Sequence, residues 1–79
     1  MNPDKFFDLI QCESGWTADV YGDKGLAYGL LQFHRDTFDR FNKNYKLKLD
    51  YYSPYDQIDL AVRMISDGYG FHWTCFHGG

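Results

Sequence analysis

Cys12-Glu13-Ser14-Gly15-Trp16 is the stretch whose reading decides what this chain folds into. Glu13 is the only glutamate; the remaining acids are all aspartates. Phe6, Leu9, Ile10 and Glu13 recur at helical spacing and share one face. The carboxyl therefore points toward the core, at the edge where Gly15 stops the helix. A carboxyl partly withdrawn from water has a raised pKa and stays protonated near neutrality, as a general acid must. The plainer alternative is a solvated residue at a helix end.

Working back from Glu13, Asn2-Pro3-Asp4 reads as a helix start, with a capping side chain, proline at the first helical position and an acid in the first turn. That helix should end near Ser14. Working forward, Trp16 to Tyr28 is polar and glycine-punctuated, with a short hairpin expected around Gly22-Asp23-Lys24-Gly25. Tyr28-Gly29-Leu30-Leu31-Gln32-Phe33 is apolar and too short for a helix, so it is either a buried turn or the lead-in to one. A second helix opens at His34 or Asp36 and carries Thr37, Phe38 and Phe41. A connector is expected from Asn42 to Tyr52. Ser53-Pro54-Tyr55-Asp56 is the clearest helix start in the chain. Ile58, Ala61, Val62 and Ile65 form its apolar stripe, widened by Leu60 and Met64. Gly68 and Gly70 end it, and the aromatic tail Phe71-His72-Trp73-Thr74-Cys75-Phe76 should fold back on the domain. The expectation is a mainly α domain (α+β at most) spanning residues 1–79.

Composition narrows the function. A net charge of −3 with scattered Lys and Arg argues against a nucleic-acid binder, which needs a basic face. No apolar run reaches the roughly 20 residues of a membrane span, and no signal-like segment opens the chain. An exported protein would then carry its targeting sequence elsewhere or use another route. Aromatic residues make up 20% of the chain, more than so small a core easily hides. A surplus of Tyr and Trp suits a groove that stacks on sugar rings or another flat, amphipathic ligand. His34, His72 and His77 match no zinc spacing with the two cysteines, so no metal and no cofactor are expected. Cys12 and Cys75, one near each end, suit a disulfide that would staple a small core; two free buried thiols are the alternative.

Glu13-Ser14, a glycine-rich loop and then Gly29-Leu30-Leu31-Gln32 resemble the lysozyme-like superfamily of peptidoglycan-cleaving glycosidases. Soluble lytic transglycosylases share Glu-Ser near the end of the first helix and Gly-Leu-x-Gln after the loop. The resuscitation-promoting factor domain is closer still. It shares Cys-Glu-Ser-Gly, a Tyr-Gly-x-Leu-Gln-Phe-like run, a following Thr-aromatic pair (Thr37-Phe38) and a tail with Trp and Cys. The resemblance covers Phe6 to Cys75. It implies a compact lysozyme-like fold, Glu13 as the catalytic acid and a Cys12–Cys75 disulfide. It also implies a groove lined by Gln32, with Tyr28 and Thr37 nearby. On the residues alone, Gln32 is equally a buried amide satisfied by backbone. Tyr28, Trp16 and Trp73 are sugar contacts or core packing, and Thr37 is a substrate contact or an ordinary helix-start residue.

Glycoside cleavage usually takes two carboxyls, but a lytic transglycosylase needs one. Its glutamate protonates the bridging oxygen and then accepts a proton from the substrate's own C6 hydroxyl, which closes on C1. Gly22-Asp23-Lys24-Gly25 also resembles the loop of goose-type lysozymes, in which an aspartate positions a hydrolytic water. Where some relatives carry a second acid two residues after the motif glutamine, this chain has His34. Asp23 is thus either a second catalytic carboxylate or a turn residue. The function expected is a lytic transglycosylase acting on peptidoglycan, outside the cytoplasm, as a monomer or as part of a larger wall-degrading or phage assembly. The alternatives are a muramidase using Glu13 and Asp23, or a glycan-binding module that has lost catalysis.

Overall fold

The computed structural model describes residues 2–76; His77 lies outside them. Helix α1, Pro3–Ser14, begins as its sequence requires: the Asn2 side chain accepts the Asp4 N–H at 2.8 Å, and Pro3 opens the first turn. Gly15 closes it in the left-handed conformation, its N–H bonded to the Gln11 carbonyl. The buried face is Phe6, Leu9 and Ile10.

Three two-residue strands follow: β1 (Tyr21–Gly22), β2 (Ala27–Tyr28) and β3 (Phe33–His34). They pair antiparallel in that order, Tyr21 opposite Tyr28 and Tyr28 opposite Phe33, Gly22 opposite Ala27 and Ala27 opposite His34. The hairpin between β1 and β2 falls where the glycines placed it, with a 3₁₀ turn over Asp23–Gly25. The stretch from Tyr28 to Phe33 is a buried turn, but it leads into a strand before any helix.

Helix α2 runs Arg35–Asn44 and α3 runs Pro54–Ser66. Ser53 caps α3 through the Asp56 N–H, as the serine-proline start predicts. Two details differ from the sequence expectation. Helix α2 continues through Asn42, whose amide brackets the connector by accepting the Leu49 N–H and donating to the Leu49 carbonyl. The inward face of α3 is also rotated. Gln57, Leu60, Ala61 and Met64 are fully buried, whereas Val62 is exposed. The cause is Gln57, a polar residue drawn into the core by the turn it supports.

Helices α1 and α3, the Leu30-Leu31 turn, Phe33, Phe38, Phe41, Tyr51 and Trp73 share one core. The tail folds back on it, and the Trp73 indole N–H donates to the Leu31 carbonyl at 2.8 Å. Cys12 and Cys75 form a disulfide across 63 positions of sequence, tying the tail to the last turn of α1. The fold is mainly α with a small sheet.

The turn Gly29-Leu30-Leu31-Gln32 carries backbone groups that no ladder satisfies, and side chains from distant elements replace one. Gln57 accepts the Leu31 N–H at 3.1 Å and donates to the Tyr28 and Tyr51 carbonyls at 3.0 and 2.9 Å. Gly29 lies against that amide with φ +86°, and a Cβ there would overlap it. Gln57→Leu, which keeps the bulk, is expected to take this partner from two buried groups, the Leu31 N–H and the Tyr51 carbonyl, and from the part-buried Tyr28 carbonyl. At about 1 kcal/mol or more for each unsatisfied group, the loss should be roughly 3 kcal/mol, readable as a lower midpoint in urea unfolding. A midpoint equal to the parent's would show that this amide does not hold the turn.

Candidate active site

Glu13 occupies the last turn of α1, partly buried, beside the disulfide. Its Oε2 is wholly buried and has no hydrogen-bond partner among the described residues. Burial pushes its pKa up, opposed in part by a hydrogen bond from the Cys75 backbone. The helical face that buries Phe6, Leu9 and Ile10 thus also withdraws this one carboxyl from water.

Glu13 opens onto a cleft of about 400 Å³ that is also lined by Asp23, Ala27, Gln32, His34, His72, Trp73 and Thr74. A smaller recess lined by Gln32, Phe33, His34, Thr37, His72 and Trp73 shares most of these residues. Of the residues singled out in the sequence, Glu13, Asp23, Gln32 and Trp73 therefore meet around one space, and Thr37 borders its extension. Trp16 and Tyr28 do not line it. Trp16 lies half-exposed against Phe7, with ring centroids 5.8 Å apart. Tyr28 joins Tyr21, Tyr51 and Tyr52 in a cluster with centroids 4.7–5.7 Å from its own. Alternation along β2 accounts for this, since Ala27 faces the cleft and its neighbour faces away.

Each wall residue is fixed locally. Gln32 adopts a left-handed φ of 49°, and its amide donates to the Gly29 and Val20 carbonyls at 2.9 and 3.1 Å. The backbone thus holds its nitrogen, and its Oε1 packs where a side chain at Gly22 would sit. Asp23 and Lys24 are also left-handed, at φ 50° and 57°, a costly pair of conformations for residues with a Cβ. Backbone strain therefore gathers along this rim. The Asp23 carboxylate is met by His34 Nε2 at 2.9 Å. His72 stacks on Phe71 and packs edge-on to Phe41. Burial and, second, the Arg40 cation lower its pKa and favour the neutral imidazole.

Trp73 both lines the cleft and belongs to the core, so core packing accounts for part of its surface. Much of the remaining aromatic surplus is exposed elsewhere, at Tyr21, Tyr52, Tyr55, Tyr69 and Phe71. Gln57, His72 and Thr74 had not been singled out for a role. Gln57 had a signal, a polar residue in register with Leu60, Ala61 and Met64. His72 and Thr74 had none beyond adjacency to Trp73.

A second cleft of about 310 Å³ lies near the ends of α2 and α3, lined by Phe41, Asn44, Tyr45, Asp67 and Tyr69. Its carboxylate is already engaged. Asp67 accepts the Tyr45 hydroxyl at 2.6 Å, and burial with that bond pushes the phenol up to about 12. Among the described residues no group of three or more His, Cys, Asp or Glu side chains is placed to hold a metal ion. No helix among them is long and apolar enough to cross a membrane.

Glu13, partly buried at the end of α1, thus shares a polar cleft with Gln32 from the glycine-led turn. The family model of the transglycosylase SLT domain matches residues 1–71, and the chain belongs to that family. It is a family of lytic-transglycosylase-like peptidoglycan glycosidases within the lysozyme-like superfamily. No curated protein and no solved structure matches the chain.

Proposed function

We propose that this domain cleaves peptidoglycan glycan strands at the β-1,4 bond from N-acetylmuramic acid to N-acetylglucosamine, as a lytic transglycosylase with Glu13 as its acid and base. The observation that carries the reading is the burial of the Glu13 carboxyl in the wall of the cleft, with the raised pKa that follows. Protonated Glu13 gives its proton to the bridging oxygen as the C1–O bond breaks. The resulting carboxylate then takes the proton of the muramoyl C6 hydroxyl, whose oxygen closes on C1 to form a 1,6-anhydro end. The proton returns to Glu13 and no water is consumed. Gln32, Thr37 and Trp73 border the space the sugars would fill, and Trp16 and Tyr28 would touch only glycan lying beyond the cleft. The same reading places a monomeric single domain outside the cytoplasm, free or within a larger wall-degrading or phage assembly.

A second reading has a specific observation behind it: Asp23 lines the same cleft as Glu13. A carboxylate there suits a base that activates water, and the product would then carry a reducing end. Digestion of purified peptidoglycan followed by mass analysis tests both, because an anhydro end is lighter by one water. Asp23→Asn is expected to leave anhydro ends largely intact and to deplete reducing ends. Loss of anhydro ends in a folded Asp23→Asn protein would remove the distinction between the two carboxyls. Binding without products would leave a glycan-binding module.

A further inference from the structure

His34 stands where a helix cap belongs, immediately before α2, yet its side chain makes no capping bond. Serine, threonine, aspartate and asparagine are preferred at that position because they satisfy the first helical N–H groups. The imidazole reaches out of the helix instead. Phe33 beside it on β3 is buried in the core, so alternation turns His34 to the opposite face, the one where its register partner Ala27 also borders the cleft. There Nε2 meets Asp23 Oδ2 at 2.9 Å.

Stability does not account for this pairing. The two side chains are 43% and 59% exposed, and exposed ion pairs contribute little. What the bond does fix is orientation. Asp23 sits in a turn with two successive left-handed residues bearing side chains, a conformation that persists only when its surroundings hold it. His34 meets the carboxylate from another strand and engages Oδ2.

We propose that His34 is a positioning residue that sets how much of the cleavage ends in water rather than in the sugar's own hydroxyl. The inference rests on Glu13 as the general acid and on the second reading, in which Asp23 activates a water, and adds a determinant of the product. Once Glu13 has protonated the departing oxygen and the C1–O bond breaks, two nucleophiles compete for C1. The C6 hydroxyl can close on it, giving its proton to the Glu13 carboxylate. Alternatively, a water attacks C1 and gives one proton to Asp23 Oδ1, which later passes it through solvent back to Glu13. The second route requires the Asp23 carboxylate to be aimed by His34; the first does not.

The test measures anhydro and reducing ends by mass after digestion of peptidoglycan by the parent, His34→Ala and His34→Gln proteins, with melting temperatures alongside. Glutamine places an N–H near the position of Nε2. The parent is expected to give anhydro ends together with a measurable share of reducing ends. His34→Ala is expected to cut the ratio of reducing to anhydro ends roughly tenfold, part of the about 10²–10⁴-fold that a general base contributes, because Asp23 itself remains. His34→Gln should restore most of that ratio, and both melting temperatures should stay close to the parent's. The proposal is overturned by an unchanged product ratio in His34→Ala, by no recovery in His34→Gln, or by a parent that makes anhydro ends alone. That last result would leave Glu13 as the acid untouched. A parent that cleaves nothing would overturn both readings.

Discussion

Glu13→Gln is expected to lower cleavage of peptidoglycan by about 10²–10⁴-fold or more, the range that general acid–base catalysis contributes. Glutamine keeps the shape of the side chain but cannot give up a proton to a departing oxygen. The helical face of Phe6, Leu9 and Ile10 does not change, so the fold and much of the glycan affinity should survive. The pH profile carries the same reading. Burial raises the Glu13 pKa, so the acid form persists to higher pH than in an exposed glutamate, and activity should fall as pH rises through that value. Stability follows in the same direction. The folded state binds the Glu13 proton more tightly than the unfolded chain does. The group's stabilising contribution is full below the unfolded pKa and is lost as pH rises through the folded one. Glutamine is neutral throughout, so above the Glu13 pKa the Glu13→Gln protein should melt at or above the parent's temperature. A folded Glu13→Gln protein cleaving at the parent's rate would refute the assignment and bring the binding-module reading forward.

The second large effect is expected from the disulfide. Cys75→Ser opens a loop of 63 positions. In the chain-entropy model that closure is worth about 4 kcal/mol, an amount that rivals the whole stability of many small domains. For a domain of this size the melting temperature should fall by roughly 15–30 °C, to be read by calorimetry with and without reductant. Reductant should move the parent toward the variant and leave the variant where it is. The change also reaches the site, because the Cys75 backbone bonds the Glu13 carboxyl. Freed from the tail, Glu13 should lose that bond and some of its burial. Cleavage by Cys75→Ser, assayed well below its melting temperature, should therefore drop as well. Full activity there would show that the tail stabilises the domain without shaping the acid.

Gln32 and Tyr28, two motif residues of opposite fate, show how far the sequence could be read. Both belong to one motif four residues apart, and neighbouring motif residues suggest a shared role. The sheet separates them: Gln32 borders the cleft with its amide nitrogen bound to backbone, whereas Tyr28 joins a tyrosine cluster outside it. The tight turn between β2 and β3 decides where Gln32 lies and alternation within β2 turns Tyr28 away, and two-residue strands are too short for a period of two to be visible in the sequence. His34 is a similar case. Its place at the start of α2 was legible, but its partner Asp23 lies across the sheet, and only the β2–β3 register brings the two together.

The sequence by itself determined the elements whose causes are local. Asn2-Pro3 and Ser53-Pro54 start helices because a capping side chain and a fixed φ act within a few residues. Gly15 stops α1 for the same kind of reason, and the spacing of Phe6, Leu9 and Ile10 carries Glu13 to the inner face before any partner is known. Tertiary structure alone decided what depends on groups far apart in the chain. Gln57 turns α3 by offering its amide to a turn 26 residues earlier, and Trp73 closes the core on Leu31, 42 residues away. The Asp23–His34 pair exists only once the strands align. Backbone groups left unpaired by one segment must be satisfied somewhere, and only the assembled fold selects which distant side chain satisfies them.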